Sequence, residues 1–353
     1  MIPCASCLIL IVSAVHLAQP LTYEDLEFQI THDSHHQIKP VIHENIVIWQ
    51  DERHGFPDIF GYDVLRRVEF PLITDSSEQW SPAIYREKVV WTDFREGTDN
   101  IYYYDLWTDK EIPITSHPAY QFKPTLYGNR VVWEDYRYIE GCLFMYDFKS
   151  RYEFQIPTLA ENPSEPQLYG DILVWADNRN GDFDIYGYDF IRHTEFPIST
   201  LSKHQVHPVI YEDIVAWEDN RRGNDDIFIF DMSEKREWCI TTNENHQRFP
   251  ALFGDILIWQ DDRNGNWDLY GYDLVTQQEF PIIMGEGNQL MPQIYGTLIV
   301  WQDDRNGNWD IYGIDLSMFS PAREQKFMKN PDTIFCLITG IFLLFTLIKQ
   351  GKR

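Results

Sequence analysis

The chain has 353 residues, a formal net charge of −26 and an aromatic content of 15%. A surface this acidic argues against nucleic acid and anionic lipid headgroups as partners, because both need a basic face. The hydrophobic content of 44% is sufficient for a large buried core. A protein or a carbohydrate is therefore the partner to consider.

Residues 1–18 are predicted to be a secretory signal peptide. The run from Cys7 to Ala18 is apolar and contains no acidic residue, as such a segment requires. Only the α-amino group supplies positive charge ahead of this run, so an uncleaved N-terminal anchor is the alternative interpretation.

A repeat occupies most of the chain. Seven tryptophans follow one another at intervals of 42 residues without an insertion or deletion, namely Trp49, Trp91, Trp133, Trp175, Trp217, Trp259 and Trp301. The last two copies are almost identical. A fixed period of about 20–50 residues signals a repeat architecture whose units stack into one body. Residues 19–317 are therefore expected to form one domain.

Each unit is predicted to contain four short strands. In the sixth unit the first is Asp255–Asp261, which is apolar on both faces like a strand buried between neighbouring sheets. Turn residues separate it from strands at Asp268–Asp273 and Glu279–Ile283, and a fourth element contains Gln289 and ends at Tyr295. Four-stranded units of about 40–45 residues are the blades of a β-propeller. The predicted fold class is all-β, a seven-bladed β-propeller.

The N-terminal end of the repeat region is predicted to complete the last blade. A glutamate precedes every repeat tryptophan by 22 residues, but the strand that contains it is missing after the last motif, which ends at Leu316. Glu27 and Phe28 have the correct spacing to Trp49. Residues 26–31 are therefore expected to form the outer strand of the last blade, which would remove the open seam of the ring.

The C-terminal region is predicted to comprise a linker (318–332), a short transmembrane helix (333–349) and a cytoplasmic tail (350–353). The apolar run Ile334–Ile348 has 15 residues, fewer than the ~20 of a normal spanning helix, but Lys349 can extend to the interface. A core helix is the alternative. The basic tail places the C-terminus in the cytoplasm by the positive-inside rule. The expected localisation is the extracellular face of the cell membrane, in a single-pass protein.

The sixth copy reads Trp259-Gln-Asp-Asp-Arg-Asn-Gly-Asn-Trp-Asp-Leu-Tyr-Gly-Tyr-Asp273. This pattern resembles the WD40-like repeat of TolB-type β-propellers, which is approximately aromatic-x-Asp-Arg-x-Gly-x-x-x-Ile-Tyr-x-x-Asp. The resemblance covers residues 22–317. The sequence is similar in particular to repeat arrays on surface proteins of methanogenic archaea. It implies the fold but no single function, because such propellers act as scaffolds, as peptide or sugar binders and as enzyme subunits.

Charged residues recur at fixed places in every unit. An aspartate stands two residues after each repeat tryptophan, an arginine four after it and another aspartate 14 after it. Seven acid–base or metal sites are one interpretation, but an active site is normally singular. We instead predict a structural ion-pair network in which arginine bridges carboxylates, with members that include Asp51, Arg53, Asp63, Asp261, Arg263, Asp273, Asp303, Arg305 and Asp315.

The sequence indicates no cofactor. The turn that follows Trp259 is rich in oxygen ligands, so Ca²⁺ is the ion to consider, but the spacing does not match an EF-hand and Arg263 stands within the turn. Five histidines are assigned to the connections between blades and are expected to be solvated, namely His35, His36, His204, His207 and His246.

Aromatic residues that break the seven-fold pattern are candidates for ligand binding. Eight residues after their repeat tryptophans stand Trp267 and Trp309, in a turn expected on the same face as the connections between blades. Rings beside polar amides suit a sugar or a peptide, and the candidate site comprises Trp267, Trp309, Phe183, Asn266 and Asn308. The alternative is that each indole covers a neighbouring turn.

The sequence contains no Gly-x-Ser-x-Gly, His-Glu-x-x-His or phosphate-loop motif. We therefore expect a non-catalytic, membrane-anchored extracellular propeller that serves binding or surface assembly. A propeller-fold polysaccharide lyase or hydrolase is one alternative, which a lone cluster of His, Lys or Arg with carboxylates at the channel mouth would favour. An accessory subunit of a cell-envelope complex, recognised by an exposed patch, is the other.

Overall fold

A computed structural model describes residues 26–319. The predicted signal peptide at 1–18, the membrane anchor at 333–349, the tail at 350–353 and the linker beyond residue 319 lie outside the described residues. Within residues 26–319, no helix combines the length and the apolar character that crossing a bilayer requires.

The described chain contains 28 strands, numbered in chain order. A short first strand precedes blades one to three, and these comprise β1 (Glu27–Gln29); β2 (Gln37–His43), β3 (Ile46–Asp51), β4 (Asp58–Asp63), β5 (Val68–Ile73); β6 (Gln79–Tyr85), β7 (Lys88–Asp93), β8 (Asn100–Asp105), β9 (Lys110–Pro113); β10 (Gln121–Tyr127), β11 (Arg130–Asp135), β12 (Cys142–Asp147) and β13 (Tyr152–Gln155).

Blades four to seven continue the same pattern. They comprise β14 (Ser164–Tyr169), β15 (Ile172–Asp177), β16 (Asp184–Asp189), β17 (Thr194–Ser199); β18 (Gln205–Tyr211), β19 (Ile214–Asp219), β20 (Asp226–Asp231), β21 (Arg236–Cys239); β22 (Gln247–Phe253), β23 (Ile256–Asp261), β24 (Asp268–Asp273), β25 (Gln278–Ile283); β26 (Gln289–Tyr295), β27 (Leu298–Asp303) and β28 (Asp310–Asp315). A 3-10 turn, Leu316–Phe319, follows.

The strands form seven four-stranded antiparallel sheets, each of which is one blade. The first strand of a blade contacts the first strands of both neighbouring blades, so these seven strands line a central channel. In the last blade the order is β1-β28-β27-β26, with Phe28 opposite Gly313. The prediction of an all-β, seven-bladed propeller is confirmed, and the strands predicted in the sixth unit agree with the structure to within one residue.

The repeat tryptophans are the largest buried side chains, and each is 0% exposed. They lie between blades: Trp301 of the last blade shares a hydrophobic cluster with Ile258 and Leu269 of the sixth. Burying a side chain of this size stabilises the fold by on the order of 3 kcal/mol. Because one such residue stands at every interface between blades, the 42-residue period is also the period of the core.

The outer edge of the blades has two forms. In four blades a glycine lies under the phenylalanine of the outer strand, and a Cβ on Gly61 would stand 2.5 Å from the Phe70 ring. The remaining blades carry a larger residue there, namely Tyr103, Met145 or Ile229. Their outer strands have four residues, whereas β5, β17 and β25 have six. In these three blades the longer outer strand accompanies the glycine, whereas β1, which also lies over a glycine, has three residues.

Candidate functional site

Each blade contains the same carboxylate clamp, which consists of an arginine, an aspartate and a glutamate. In the first blade Arg53 Nη2 lies 2.6 Å from Asp51 Oδ2, and Nη1 lies 2.7 Å from Glu69 Oε1. The Trp49 indole N–H also donates to the Asp51 carboxylate, at 2.9 Å. Equivalent clamps surround the other six arginines, namely Arg95, Arg137, Arg179, Arg221, Arg263 and Arg305.

The structure corrects the membership of the predicted ion-pair network. Asp51 pairs in register with Asp58 at one end of β4, whereas Asp63 lies at the other end, five residues or ~17 Å away. There Asp63 accepts the backbone N–H of Arg66 at 2.9 Å. Turn N–H groups likewise donate to the equivalent residues Asp273 and Asp315. The arginine reaches across to the outer strand instead, so its second carboxylate is a glutamate.

The five predicted ligand-binding residues lie on the face that carries the connections between blades. Trp267 and Trp309 are half-buried on neighbouring blades, and the Arg248 guanidinium lies 5.6 Å from the centre of a Trp267 ring. Phe183, two blades from Trp267, contacts the ring of His204. A binding role for these aromatic residues stays a prediction.

The two asparagines of that predicted site hold connections between blades. Asn266 donates to the carbonyls of Gly285 and Gly287, at 2.9 and 2.5 Å. Asn308 donates to the carbonyls of Asp33 and His35, both at 3.1 Å. Since both side-chain amides are used within the fold, they position the turns that carry Trp267 and Trp309 rather than offering free donors.

Four of the five histidines lie in connections, as expected, but His207 does not. It belongs to the innermost strand β18. The innermost strand begins at Gln205, so His207 is a channel residue. Across residues 26–319, no group of three or more His, Cys, Asp or Glu side chains is arranged to hold a metal ion.

One residue from each innermost strand forms what we call the channel ring. Its members, in blade order, are Lys39, Ser81, Lys123, Glu165, His207, Phe249 and Met291. Each precedes an invariant proline and has a φ between 46° and 57°. Non-glycine residues rarely adopt this left-handed conformation, which costs about 1–3 kcal/mol each. One strained backbone position thus carries seven side chains, and only lysine occurs twice.

The strained backbone of the ring is held by neighbouring blades. The N–H of Ser81 donates to the Gln50 side chain at 3.0 Å, and that of Met291 donates to the Gln260 side chain at 3.0 Å. Between the last and first blades, Lys39 N–H donates to Gln302 at 2.8 Å. In six of the seven blades the left-handed turn aims the N–H at the preceding blade, and the hydrogen bond offsets part of the strain.

A charged cluster occupies one side of the ring. The two imidazole nitrogens of His207 lie 2.8 Å from Glu218 Oε2 and 3.2 Å from Glu165 Oε1. Lys123 Nζ lies 3.4 Å from Glu134 and 3.8 Å from Glu165. Ala176 stands where five of the other blades have a glutamine or glutamate, so Glu165 itself accepts the backbone N–H of His207, at 3.0 Å.

The cluster fixes the protonation of its members. Burial alone would lower the pKa of His207, but the hydrogen bonds with Glu165 and Glu218 outweigh burial and raise the pKa to about 9. Burial acts to raise the pKa of Glu165, and contact with His207 lowers it overall. Burial raises the pKa of Glu134, and Lys123 only partly offsets this effect. At neutral pH His207 is therefore an imidazolium between two acceptors.

Lys39 is the exception among the charged residues of the ring. Within the described part of the chain it has no ion-pair partner. Burial lowers the pKa of its ammonium group, and the positive charge of Lys123 lowers it further. Ser81 lies between these two lysines in blade order. An acidic protein thus carries two lysines at the channel ring, two blades apart.

The opposite end of the channel is closed by an aromatic girdle. Seven rings, one per blade, contact each other around the full circle with centroids 4.5–4.8 Å apart, namely His43, Tyr85, Tyr127, Tyr169, Tyr211, Phe253 and Tyr295. Seven rings on so small a circle leave no opening for a sugar or a peptide. The His207 and Glu165 side chains are 26% and 27% exposed, so the channel is a funnel open to solvent at its other end.

A second feature lies on the outer side of blades three and four. An open cleft of about 500 Å³ is lined by residues that include Met145, Phe154 and Phe190. Met145 stands where four other blades have a glycine, so the Phe154 ring cannot pack against the backbone at this position and Phe154 is 42% exposed. Exposed Ile139 and Tyr152 lie on the same blade. This patch is the feature of the described residues that favours the accessory-subunit alternative.

The fold and the channel define a seven-bladed β-propeller with a repeated framework and a non-repeating funnel. Similar solved structures include TolB from Acinetobacter baumannii, at 15% identity and a TM-score of 0.52, covering 67% of this chain and 62% of that one. An oligogalacturonate lyase in complex with manganese matches at 12% identity and a TM-score of 0.63, covering 82% and 92%.

The β-propeller domain of the Trilobed protease from Pyrococcus furiosus is also similar, at 12% identity and a TM-score of 0.64, covering 81% of this chain and 95% of that one. No protein-family model and no curated protein matches the sequence. At these identities the likeness concerns the fold alone.

Proposed function

We propose that the protein is a non-catalytic binding module of the cell surface that takes its ligand in the open end of the funnel. The observation that carries this proposal is the channel ring. Its backbone conformation is the same in all seven blades, whereas its side chains differ. A position that served only the fold would repeat its side chains, as the carboxylate clamp does.

The protonation of the cluster supports binding rather than catalysis. A general base needs a pKa near the working pH and a free lone pair. His207 has a pKa of about 9, and both of its nitrogens contact carboxylates. It therefore carries a fixed positive charge at neutral pH and positions the carboxylates of Glu165 and Glu218.

The location of the propeller is a further part of the proposal. The apolar run at residues 334–348 and the basic residues after it support a single-pass anchor with the propeller outside the cell. We also propose that the pairing of β1 with β28 joins the ends of the ring. Protease added to intact cells should digest the propeller and spare an epitope placed after residue 353; digestion of the epitope alone would reverse the orientation.

Arrays of glycans and peptides, probed with the full-length protein in detergent, test the binding function. Three proteins are compared: the wild type, the double variant Trp267→Ala/Trp309→Ala, and the ring variant Lys39→Met/Lys123→Met. Met291 already occupies the ring position with a φ of 54°, so methionine suits the backbone. Specific binding that one of the variants loses, at an unchanged melting temperature, supports the proposal and locates the site.

A catalytic role is the second candidate, because the cluster of Lys123, Glu165 and His207 breaks the seven-fold pattern and a lyase is among the similar structures. Incubation with polygalacturonate, followed by ultraviolet absorbance of unsaturated products, tests it with and without Mn²⁺. Turnover that Glu165→Gln abolishes would replace the binding proposal with an enzymatic one. Absence of turnover for arrayed ligands that do bind leaves the binding module as the function.

A further inference from the structure

We infer that Lys39, Ser81 and Lys123 form an anion subsite in the funnel that takes the terminal carboxylate of a peptide whose last side chain is apolar. The inference rests on the proposed binding function and specifies the ligand. It assigns a role to Lys39 and Ser81, which belong neither to the clamp nor to the His207 cluster, and a second role to Lys123 at the edge of that cluster.

The positive charges of Lys39 and Lys123 favour binding of an anion on this side of the channel ring. Lys39 and Lys123 stand at the same position of innermost strands two blades apart, and Lys39 has no carboxylate partner among residues 26–319. The Lys123 ammonium donates to Ser164 Oγ at 3.2 Å and lies 3.4 and 3.8 Å from the carboxylates of Glu134 and Glu165. A carboxylate placed between the lysines would be attracted by both, and the hydroxyl of Ser81 would supply a neutral donor.

The shape of the channel selects a chain end. The aromatic girdle lies at the ends of the innermost strands, and Tyr85 is four residues or ~13 Å beyond Ser81. A polymer cannot pass through seven contacting rings. A ligand must therefore enter from the open face and end inside the funnel, where a peptide can present its terminal carboxylate to the channel ring.

The other neighbours of Lys39 favour an apolar final side chain. Met291 and Phe249 follow one another on the opposite side of Lys39 in the ring, and both are partly buried. Phe249 also packs on the His207 imidazole, with centroids 4.2 Å apart. A uronic acid carries a carboxylate too, but it surrounds that group with hydroxyls, which Met291 and Phe249 cannot satisfy. The chemistry of the ring therefore favours the peptide.

Calorimetric titration of the full-length protein in detergent tests the inference with matched probes. The probes are acetyl-Gly-Gly-Leu as the free acid, the same peptide as the C-terminal amide, acetyl-Gly-Gly-Ser as the free acid, and trigalacturonate. We expect the leucine acid to bind at least tenfold more tightly than the amide and the serine acid. Raising salt should weaken its binding.

The protein variants separate charge from folding. Lys39→Met should weaken binding of the leucine acid at least tenfold without a change in melting temperature, because Met291 shows that the backbone accepts methionine. Lys39→Arg should retain most of the binding. Lys110→Met, on an exposed outer strand, is the matched control and should bind like the wild type.

Four results would overturn the inference. Equal affinity for the acid and the amide removes the carboxylate subsite. Binding of trigalacturonate that depends on Lys39, without binding of the peptide, assigns the site to an acidic sugar and leaves the proposed binding function intact. Array ligands that bind equally well to Lys39→Met place recognition elsewhere on the propeller. Absence of binding to every peptide and glycan would remove both proposals.

Discussion

Every blade contains one carboxylate clamp and contributes one residue to the channel ring, but the two features vary in opposite ways. The clamp repeats its side chains seven times, and its aspartates are 0% exposed. The ring repeats its strained backbone seven times and varies its side chains. A buried charge must keep its partner, because losing the partner leaves an uncompensated ion. A side chain at the wall of a solvent-filled funnel has no such constraint, so it can be adapted to a ligand.

The two regions also differ in how they connect the molecule. The clamp joins strands within one blade, as in Arg263 with Asp261 and Glu279. The ring joins neighbouring blades, since its N–H groups donate to side chains of the blade before. Changes to the clamp should therefore act on stability, and changes to ring side chains should act on binding.

Arg263→Ala should have the largest effect. It removes the partner of Asp261, which is fully buried and bonded also to the Trp259 indole. The expected loss in the free energy of unfolding is about 3–5 kcal/mol, measured by denaturant titration. Arg66→Ala is the control, because its ion pair with Asp63 is 3.6 Å long and Arg66 is 68% exposed. A comparable loss in both variants would contradict the structural role of the clamp.

His207 should make stability depend on pH. Its pKa rises from 6.5 to about 9 on folding, so its stabilising contribution is complete below about pH 6.5 and is lost as the pH rises through about 9. A shift of this size corresponds to at most about 3 kcal/mol.

The free energies of unfolding of the wild type and His207→Gln should therefore differ most near pH 6 and converge near pH 10. Lys123, Glu134 and Arg248 also face the cluster. His117→Gln, in an exposed connection, should show no such pH dependence. A constant difference between the wild type and His207→Gln would show that the imidazole is neutral in the folded protein.

The blades were predictable because their period is long and regular, and because Trp259 and its equivalents are both the motif and the core. The clamp was only half predictable. Arg263 and Asp261 are two residues apart, but Glu279 is 16 residues from Arg263 and meets it through strand pairing. Spacing alone does not distinguish the two ends of a strand. The predicted network therefore includes Asp273, although this residue lies at the end of the strand opposite the clamp.

The channel ring was not predicted, because its defining property is a backbone angle. His207 stands in a polar run and was assigned to a connection. The invariant proline after it was the available signal: a variable residue before a proline that repeats in every unit marks a fixed backbone position with a free side chain. The aromatic girdle was not predicted for a similar reason. In the sequence Tyr211 and Phe253 resemble ordinary core residues, and only the arrangement of the blades around the channel brings them into contact.

The join between the first and last blades offers a smaller effect and a matched control. Phe28 lies over Gly313 as Phe70 lies over Gly61, but β1 and β28 are far apart in sequence. Alanine at either position should cost about 2 kcal/mol, less than for a fully buried ring. Only Phe28→Ala should also accelerate hydrogen exchange at Ile30, whose N–H donates to Ile311. Unchanged exchange there would argue against a closing role for β1.

Ser81→Gly should have the smallest effect on the free energy of unfolding, and it measures the backbone strain of the channel ring most directly. Ser81 has a φ of 50°, a region where an L-residue pays ~1–2 kcal/mol and glycine pays none. Ser81→Gly also makes the unfolded chain more flexible, at a cost of roughly 0.5–1 kcal/mol. The two terms oppose each other, so the free energy of unfolding should stay the same or rise by about 1 kcal/mol.

The control is Ala83→Gly, two residues further along the same strand, where φ is not positive. This substitution makes the unfolded chain more flexible but relieves no backbone strain, so it should lower the free energy of unfolding by about 0.5–1 kcal/mol. The difference between the two substitutions then isolates the strain at the ring position. If both lose the same amount, the left-handed conformation costs Ser81 nothing, and the hydrogen bond to Gln50 fully offsets it. The ring would then be an unstrained framework whose variable side chains alone set it apart from the clamp.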